Sequence, residues 1–245
     1  MRLDKFIVST GKLSRSEAGR AARSGRILVD GVPEKKADRA IDPEQNVITL
    51  DGELLTYRKF TYIVMNKPDG YISASDSGRE KDPIVLTLLP DELQRIGLFP
   101  CGRLDKHTTG LILLTNDGPL SHRLLSPRHH VSKKYFYTSK FPLTREEIAT
   151  LQEGVTLEDG YVTLPAVIEQ NEGEAQGYIT LTEGKYHQIK RMFEAVHNKI
   201  VTLERVTFSF LTLDGLTERG QWRYLTEEEI AQLNAHGHPD VSSQK

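Results

Sequence analysis

Short apolar clusters separated by turn-forming residues occupy the first part of the chain, a pattern typical of a small module of helices and strands. Ser14 and Glu17 have the spacing of a capping box, which predicts a helix that begins at Ser14. Gly25 is placed to end this helix. A narrow apolar stripe along it consists of Ala18, Ala21 and Ala22. Two short strands follow, and each leads into an Asp-Gly turn, one at Asp30 and one at Asp51.

From about residue 59 the apolar runs become longer. They predict strands over residues 62–66, 111–115, 134–138, 161–168, 178–181 and 201–211. Helical patterns cover residues 144–154, residues 186–196 and a last segment that Thr226 and Glu229 cap. Residues 83–96 form one or two helical turns that Pro90 interrupts. Because strands outnumber helices without regular alternation, we expect an α+β fold with a mixed, mainly antiparallel sheet.

The change of pattern predicts two domains and a tail. A small N-terminal domain spans residues 1–58, and a larger domain spans residues 59–236. Residues 237–245 show neither periodicity nor an apolar cluster and are expected to be disordered. The chain contains no internal repeat that would indicate a solenoid.

The composition fits a cytoplasmic protein with a sizeable core. Of 245 residues, 38% are hydrophobic and 27% are charged, and the longest apolar stretches are only long enough for strands, so no membrane span is expected. Charges near the N-terminus leave no apolar core for an export signal. The single cysteine, Cys101, excludes an internal disulfide and a multi-cysteine zinc site, and packing is its favoured role.

Charge is distributed unevenly although the formal net charge is only −2. This average excludes a protein that coats nucleic acid through bulk charge. Residues 1–26, however, contain seven basic residues against two acidic ones, and acidic residues prevail after residue 214. Four of the basic residues lie away from the alanine stripe, namely Arg15, Arg20, Arg23 and Arg26. They form either a basic face for a polyanion or an ordinary solvated surface.

A polar loop over residues 102–110 has glycines at both ends and leads into a buried-type strand. It contains Asp105, with Arg103 and Lys106 close by in sequence. Positive neighbours favour the ionised form of a carboxylate, and an ionised carboxylate in a partly desolvated loop can act as a nucleophile or a general base. The alternative is that Asp105 only forms a turn or pairs with Arg103.

The helix predicted over residues 186–196 carries basic residues beside its core face. The core positions follow the helical period and are Ile189, Met192, Phe193 and Val196. Lys190 lies at the edge of this stripe, and His187 shares its face near the positive end of the helix dipole. Lys190 and Arg191 could bind a phosphate or pair with a carboxylate. The alternative is a surface cation whose alkyl chain covers the core stripe.

Signals for metals and nucleotide cofactors are weak. His129 and His130 are adjacent, but no third ligand has suitable spacing, so an RNA contact or a structural role is favoured over a metal site. The chain contains no glycine-rich nucleotide loop. We therefore expect no metal and no cofactor.

Several segments of the chain resemble those of two known families. RLDKFIVSTGKLSRSEAGRAARSGRILVDG resembles the S4-type (αL-type) RNA-binding domain, which implies that Arg15, Arg20, Arg23 and Arg26 face structured RNA. GRLDKHTTGLILLTNDG resembles the catalytic motif of the RluA/RsuA-type pseudouridine synthases. The segments YIVMNKPDGYI, Lys134-Tyr135 and GKYHQIKRMF resemble the other motifs of that family and occur in the expected order. The KRMF ending and SPRHH favour the RsuA branch.

The resemblance implies a role for each matching residue. Asp105 matches the catalytic aspartate, Tyr135 the active-site tyrosine and Lys190 the basic partner of the aspartate. Arg103 matches the arginine that replaces the flipped base or braces the loop. The remaining motif residues are expected to bind substrate: Lys106, His107, Thr108, Thr109, His187 and Gln188. Lys190 stands where the other branch of the family commonly has arginine, so a bidentate arginine–carboxylate fork on Asp105 is not available. Lys185 also stands where arginine is common.

Pseudouridine formation needs a carboxylate near the ribose C1′ and C2′, a tyrosine against the base and a cation, but no redox group or group donor. Whether Asp105 attacks C1′ or promotes a glycal route stays open, and Tyr135 is the preferred base for the glycal route. The resemblance implies a cytoplasmic, monomeric enzyme without membrane attachment. Its expected partner is ribosomal RNA, 16S rRNA in particular, at the uridine 516 site.

Three alternatives remain at this level. The substrate could be a uridine of 23S rRNA or of tRNA. The chain could also be a non-catalytic RNA-binding factor for ribosome assembly, although a pure binder has no need of the set Asp105, Tyr135 and Lys190. A glycoside hydrolase is disfavoured because no second carboxylate is credibly paired with Asp105.

Overall fold

The computed structural model describes residues 1–75 and 81–235. The tail expected over residues 237–245 lies outside the described residues. The chain divides into two compact units. The first contains Met1–Thr61 and Leu86–Phe99, and the second contains Tyr62–Val85 and the chain from Pro100 onward.

The first unit combines short helices with a small antiparallel sheet. Its helices are α1 (Leu3–Ser9), α2 (Arg15–Arg23) and α3 (Asp91–Gln94), and a 3-10 turn covers Val85–Leu88. Its strands are β1 (Ile27–Val29), β2 (Val32–Pro33), β3 (Ile48–Leu50) and β4 (Glu53–Leu54). They lie in the order β2-β1-β3-β4. The core of the unit is formed by α1, α2 and the buried sides of β1 and β3.

The capping box predicted for α2 is present. The Ser14 hydroxyl accepts from the Glu17 backbone N–H, and the Glu17 carboxylate accepts from the Ser14 N–H at 2.8 Å. The alanine stripe is fully buried. The sharp turn at Asp30 and Gly31 has φ of 52° and 79°, which matches the type I′ hairpin that this dipeptide favours. These local signals were therefore sufficient to predict the helix and the hairpin.

The segment Leu86–Phe99 packs within the first unit although it is distant in sequence. Lys12 Nζ lies 3.0 Å from Glu92 Oε1. A Cβ atom at Gly11 would lie 1.9 Å from the Glu92 carbonyl oxygen, so this approach of two backbones requires a glycine. The hydrophobic pattern of residues 83–96 indicates helical turns but not this packing.

The second unit is built on one sheet. Its strands, in chain order, are β5 (Tyr62–Lys67), β6 (Phe99–Pro100), β7 (Thr108–Thr115), β8 (Lys133–Ser139), β9 (Val167–Gln170), β10 (Gln176–Leu181), β11 (Ile200–Phe208), β12 (Leu211–Thr212) and β13 (Trp222–Tyr224). The main path is β13-β5-β7-β11-β8-β10-β9. Along this path only β7 and β11 pair in parallel, which confirms a mixed, mainly antiparallel sheet and the α+β class.

Helices cover the sheet of the second unit and close its core. They are α4 (Gly118–Leu125), α5 (Arg145–Glu153), α6 (Gln188–Ala195) and α7 (Glu227–Ala235), and a 3-10 turn covers Pro127–His129. The stripe predicted on α6 is buried, and the Phe193 ring meets the Tyr137 ring of β8 edge-on at 4.9 Å. Thr144, where the predicted helical pattern begins, caps α5 through a capping box with Glu147.

Three elements differ from the sequence expectation. A helix after the strand predicted over residues 111–115 was not expected, but Asp117 caps α4 by accepting from the Leu120 N–H at 3.1 Å. The strand expected over residues 161–168 is wrong for most of its length, because β9 begins at Val167 and only one bridge, Thr156 to Val162, precedes it. Helix α6 begins two residues late, since His187 adopts a left-handed conformation with φ of 50°.

No helix in the described part of the chain is both long and apolar enough to cross a membrane.

Candidate active site

A cavity of about 720 Å³ opens in the second unit. It lies where the loop before β7, the middle of β8 and the start of α6 come together. The sequence singled out these three segments, and the fold brings them to one place. Strand β11 contributes two further lining residues, Leu203 and Arg205.

Asp105 faces two basic side chains: Lys190 of α6, and His187, which immediately precedes α6. Its side chain is 29% exposed, its Oδ2 lies 3.0 Å from Lys190 Nζ, and its Oδ1 lies 3.5 Å from His187 Nε2. The helical spacing predicted a shared face for His187 and Lys190, and both side chains reach the same carboxylate. This contact places one cation opposite one carboxylate inside the cavity, which is the arrangement that the Asp105 hypothesis required.

Lys67, at the end of β5, holds the backbone around Asp105. The lysine is fully buried, and its Nζ donates to the carbonyl oxygens of Pro68 at 3.1 Å, Lys106 at 3.1 Å and Thr108 at 2.8 Å. Burial lowers the pKa of Lys67 to about 8, while the nearby Asp69 and Asp105 carboxylates act in the opposite direction. The Lys67 ammonium therefore fixes the backbone of the loop that carries Asp105.

Ser73 also fixes the backbone of the loop that carries Asp105. Its hydroxyl donates to the Leu104 carbonyl oxygen at 2.9 Å and accepts from the Leu104 N–H at 3.1 Å. The N–H of Thr108 also donates to the Asp105 carbonyl oxygen at 3.0 Å. These bonds fix the backbone on both sides of Asp105, whose side chain is among those that line the cavity.

A buried carboxylate fixes the start of α6. Gln188 accepts from the Lys185 N–H at 2.9 Å and donates to Glu183 Oε1 at 2.6 Å. Glu183 Oε2 accepts from the Tyr161 hydroxyl at 2.6 Å, and this carboxylate raises the pKa of Tyr161. The network ties the turn before α6 to the sheet side of the cavity and so positions His187.

Tyr135 lines the cavity from β8, where it is half-buried. The register of β8 and β11 places it directly opposite Arg205. Arg205 is only 2% exposed, and its Nε donates to the Leu111 carbonyl oxygen at 2.7 Å. Cross-strand partners lie on one face of the sheet, so the tyrosine ring and the guanidinium are neighbours at the cavity wall.

Lys133 lies two residues before Tyr135 and is 9% exposed. Its Nζ donates to the Val131 carbonyl oxygen at 2.8 Å. Burial, and secondarily the charge of Arg205, lowers the pKa of Lys133 to about 8.

Sequence reasoning assigned no role to Arg205. Lys133, Glu183 and Lys67 lie in segments that the sequence singled out, but no role was assigned to them. A basic side chain inside an otherwise apolar strand was the available signal for Arg205 and Lys67, because such residues are rarely buried without a purpose.

The residues expected to bind substrate divide into two sets. The first set lines the cavity and comprises Arg103, Asp105, Lys106, Thr108, Tyr135, His187, Gln188 and Lys190. The second set, His107 and Thr109, is not part of the lining. His107 instead pairs with Asp69 at 2.9 Å and lowers the pKa of that carboxyl. Lys106 Nζ lies 2.7 Å from Asp82, so Lys190 and not Lys106 makes the ion pair with Asp105.

The arginines of the first unit are all exposed. Arg26 binds Asp51 through two hydrogen bonds, and Arg15 Nε lies 3.6 Å from Asp4. Arg20 and Arg23 have no ion pair among the described residues. A guanidinium that remains unpaired on a surface is available to a phosphate.

Groups of three or more His, Cys, Asp or Glu side chains that could hold a metal are absent from residues 1–75 and 81–235. The Cys101 thiol is buried, and burial raises its pKa. The cavity lining offers a carboxylate paired with an ammonium, a phenol and further cations.

Comparison with known proteins gives consistent results for both parts of the chain. A family model described as RNA pseudouridylate synthase matches residues 61–195. A model of the S4 domain matches residues 1–47.

Individual relatives align over almost the whole chain. An RNA pseudouridine synthase of Bacillus subtilis, named YtzG and described as uncharacterized, is 44% identical over 96% of this chain and 98% of its own length. The ribosomal small subunit pseudouridine synthase A of Escherichia coli K12 is 42% identical over 95% of this chain and 100% of its own. A crystal structure of a pseudouridylate synthase has a TM-score of 0.66 at 37% identity and covers 95% of this chain and 99% of that one.

Proposed function

The chain belongs to the RNA pseudouridylate synthase family, and on this premise we propose that it converts a uridine of small-subunit ribosomal RNA, at the uridine 516 site, to pseudouridine. Support for this substrate comes from relatives that share its full length and are named ribosomal small subunit pseudouridine synthase A. The observation that carries the catalytic part of the proposal is the Asp105–Lys190 pair inside the cavity.

In this proposal Asp105 is the carboxylate that acts at the ribose. Lys190, 3.0 Å away, balances its charge while the carboxylate approaches C1′ or C2′. Lysine is a point charge, so it leaves the second carboxylate oxygen to His187 and to the substrate. The bond between ribose and base then lies next to Asp105. The hydrogen bonds of Lys67 and Ser73 fix the loop that carries this carboxylate.

Tyr135 packs against the base and, in a glycal route, takes the ribose proton. It stands on a rigid strand in the middle of the sheet, with β10 and β11 paired on either side of β8. A ring held in this way can support a flipped base without a large loss of side-chain entropy. Arg103, exposed at the cavity lining, supports the RNA strand from which the uridine has left.

The N-terminal domain supplies affinity for the RNA. Removing a base from its stack costs a few kcal/mol. Phosphate contacts from Arg15, Arg20, Arg23 and Arg26 offset this cost and do not depend on base sequence. We propose that the enzyme acts as a cytoplasmic monomer and that residues 1–58 and 59–236 serve as its RNA-binding and catalytic domains.

Mapping of pseudouridine in total RNA tests the substrate. Carbodiimide-based mapping compares cells with and without the gene for this protein. The proposal expects one small-subunit rRNA position to lose its modification. Loss of a 23S rRNA or tRNA site instead would assign the same chemistry to a different substrate. Unchanged modification at every position would favour the non-catalytic assembly factor and overturn the proposal.

A further inference from the structure

The wall of the cavity contains two buried cations that form no ion pair with any described residue. Arg205 and Lys133 both line the cavity, with exposures of 2% and 9%. They come from the adjacent strands β11 and β8. Among the described residues, no carboxylate oxygen lies within the 4.0 Å of an ion pair from either group. The charge of Glu183 acts on Lys133 only from beyond ion-pair distance. Two positive charges without an ion pair in a desolvated site are costly to the folded protein.

Most hydrogen-bond donors of these cations are also unused. A guanidinium has five N–H donors, and in Arg205 only the Nε–H has an acceptor among the described residues, the Leu111 carbonyl oxygen. The Nη2 atom is buried without a partner. The Lys133 ammonium has three donors and binds one acceptor, the Val131 carbonyl oxygen. Buried donors without acceptors are rare in native proteins and call for an explanation.

Packing alone does not supply that explanation. Both cations lie over the Phe208 ring, with the Arg205 guanidinium carbon 5.2 Å and Lys133 Nζ 5.8 Å from its centre. Such cation–π contacts orient the side chains, but they are weaker than the cost of burying an unpaired charge. A neutral residue of similar size would pack against Phe208 equally well. The missing counterpart is therefore an electron-rich group that enters the cavity.

We propose that Arg205 and Lys133 bind the carbonyl oxygens of the uracil base and stabilise the negative charge that the base carries while it is detached from the ribose. This inference rests on the proposed placement of the target uridine against Asp105. It follows from the order of groups in the cavity: Asp105 acts on the ribose, and Tyr135, which packs on the base, is the cross-strand partner of Arg205.

The chemistry of the reaction creates such a charge. When the N1–C1′ bond breaks, its electron pair stays on the base and spreads over N1, O2 and O4. Formation of the C5–C1′ bond uses an electron pair of the base, C5 then loses its proton, and N1 gains one, so charge and atoms balance. The negative charge exists only between these two events. Donors that bind the anion more tightly than neutral uracil therefore lower the barrier instead of merely increasing affinity.

Two variants test the inference in the full-length protein. Arg205→Met and Lys133→Met remove one cation each while keeping an apolar side chain of similar length over Phe208. Each should lower the single-turnover rate of pseudouridine formation by about 10²–10³-fold, the effect of losing one such donor in other enzymes. The dissociation constant for the RNA should change by less than about threefold, because base contacts contribute little to affinity beside phosphate contacts.

A matched control is Arg223→Met, which removes another partly buried strand arginine. Arg223 pairs with Glu229 and is not part of the cavity lining. Its rate should stay within about twofold of wild type, as expected for a residue outside the reaction. Thermal unfolding of each variant identifies any loss of rate that follows from unfolding, and Arg205→Lys, which keeps a charge, should recover part of the rate.

Substrates with sulfur at the target base give a second, independent measurement. RNA with 2-thiouridine or 4-thiouridine at the target position carries a weaker acceptor at one carbonyl position. Wild-type protein should convert at least one of these two RNAs more slowly than the unmodified RNA. In Arg205→Met or Lys133→Met, the same sulfur replacement should reduce the rate by a smaller factor. The inference would be overturned if the effects of the sulfur replacement and of the side-chain replacement on the activation free energy were additive at both carbonyl positions. A loss of RNA affinity equal to the loss of rate would also overturn it. A wild-type protein without activity would contradict the proposed function instead.

Discussion

At the scale of single residues, Lys67 links the stability of the second unit to the geometry of its cavity. Its three hydrogen bonds hold the carbonyl oxygens of Pro68, Lys106 and Thr108 next to Asp105. Its pKa of about 8 lies below the usual 10.5 of a lysine because the group is buried. Between these two values the unfolded chain binds more protons than the folded chain, so stability contributed by this group increases with pH.

Lys67→Met isolates this effect. The difference in unfolding free energy between wild type and Lys67→Met should grow by roughly 2 kcal/mol between pH 8 and pH 10, since one pKa unit corresponds to about 1.4 kcal/mol. Urea unfolding of both proteins, monitored by fluorescence at several pH values, measures this difference in unfolding free energy. A difference that stays constant over this range would show that Lys67 titrates normally in the folded protein.

Lys190 is the second residue whose role can be separated experimentally. Lys190→Ala removes the cation 3.0 Å from Asp105 and should lower the single-turnover rate by about 10²-fold or more, with a smaller change in RNA affinity. Lys190→Arg restores a charge at the same place and should recover most of the rate. Equal losses of rate and affinity in Lys190→Ala would reassign Lys190 to a phosphate contact.

Some of these residue-level features could be predicted from the sequence and others could not. The helical period alone places His187 and Lys190 on one face, and the structure brings both to Asp105. The partner of Lys106 could not be foreseen, because Asp82 lies on a segment without periodicity and reaches the loop only through the tertiary fold. The same holds for Arg205, whose environment depends on the pairing of β11 with both β7 and β8.

At the scale of elements, the parallel pairing of β7 with β11 forms the wall of the cavity. Gly110 stands opposite Arg205 in this pairing, and a Cβ there would lie 2.3 Å from the Arg205 carbonyl oxygen. Its φ of 97° is also unfavourable for other residues. The glycine of the loop motif is thus required by backbone contact.

Gly110→Ala should therefore be strongly destabilising. We expect a loss of about 2–4 kcal/mol in unfolding free energy, because both the clash and the backbone conformation oppose the methyl group. Gly118→Ala is a suitable control, since nothing lies within 4 Å of its added Cβ. Denaturant unfolding compares the two, and similar stabilities would contradict the close approach of the strands.

Element prediction succeeded where local chemistry decides the structure and failed where two local interpretations compete. The capping boxes at Ser14 and Thr144 fixed the starts of α2 and α5. Asp117-Gly118, by contrast, fits a turn and a helix start equally well, and only the burial of Leu120 and Leu124 against the core selects α4. The strand expected over residues 161–168 does not form over most of its length. Its alternating apolar residues pack against the core that includes Leu151 of α5, and most of them have no partner strand.

At the scale of the whole molecule, the net charge of −2 conceals a basic surface. Arg20 and Arg23 are exposed and without an ion pair among the described residues, which is the state expected of groups that bind phosphates. The average charge of a sequence therefore excludes binding by bulk charge but not docking through one basic face. The packing of Leu86–Phe99 with the N-terminal residues is another property that no local pattern predicts.

The double variant Arg20→Glu/Arg23→Glu tests this surface. It should weaken binding to the rRNA substrate by at least about tenfold and reduce the magnitude of the log–log salt slope by about one to two, because each lost phosphate contact lowers the slope. The single-turnover rate at saturating protein should be unchanged. Arg145→Glu, an exposed arginine of α5, serves as the control for charge alone. An unaltered slope would identify the arginines as ordinary solvated residues.

The most direct test of the central claim concerns Asp105. Asp105→Asn keeps the size of the side chain and its place beside Lys190 but removes the charge, and Asp159→Asn, whose carboxylate pairs with Arg191 outside the cavity lining, is its control. Pseudouridine formed in a small-subunit rRNA fragment is measured under single-turnover conditions, together with RNA affinity. We expect no detectable product with Asp105→Asn, binding within a few-fold of wild type and full activity of Asp159→Asn. Retained pseudouridine formation by Asp105→Asn would contradict a catalytic role for this carboxylate.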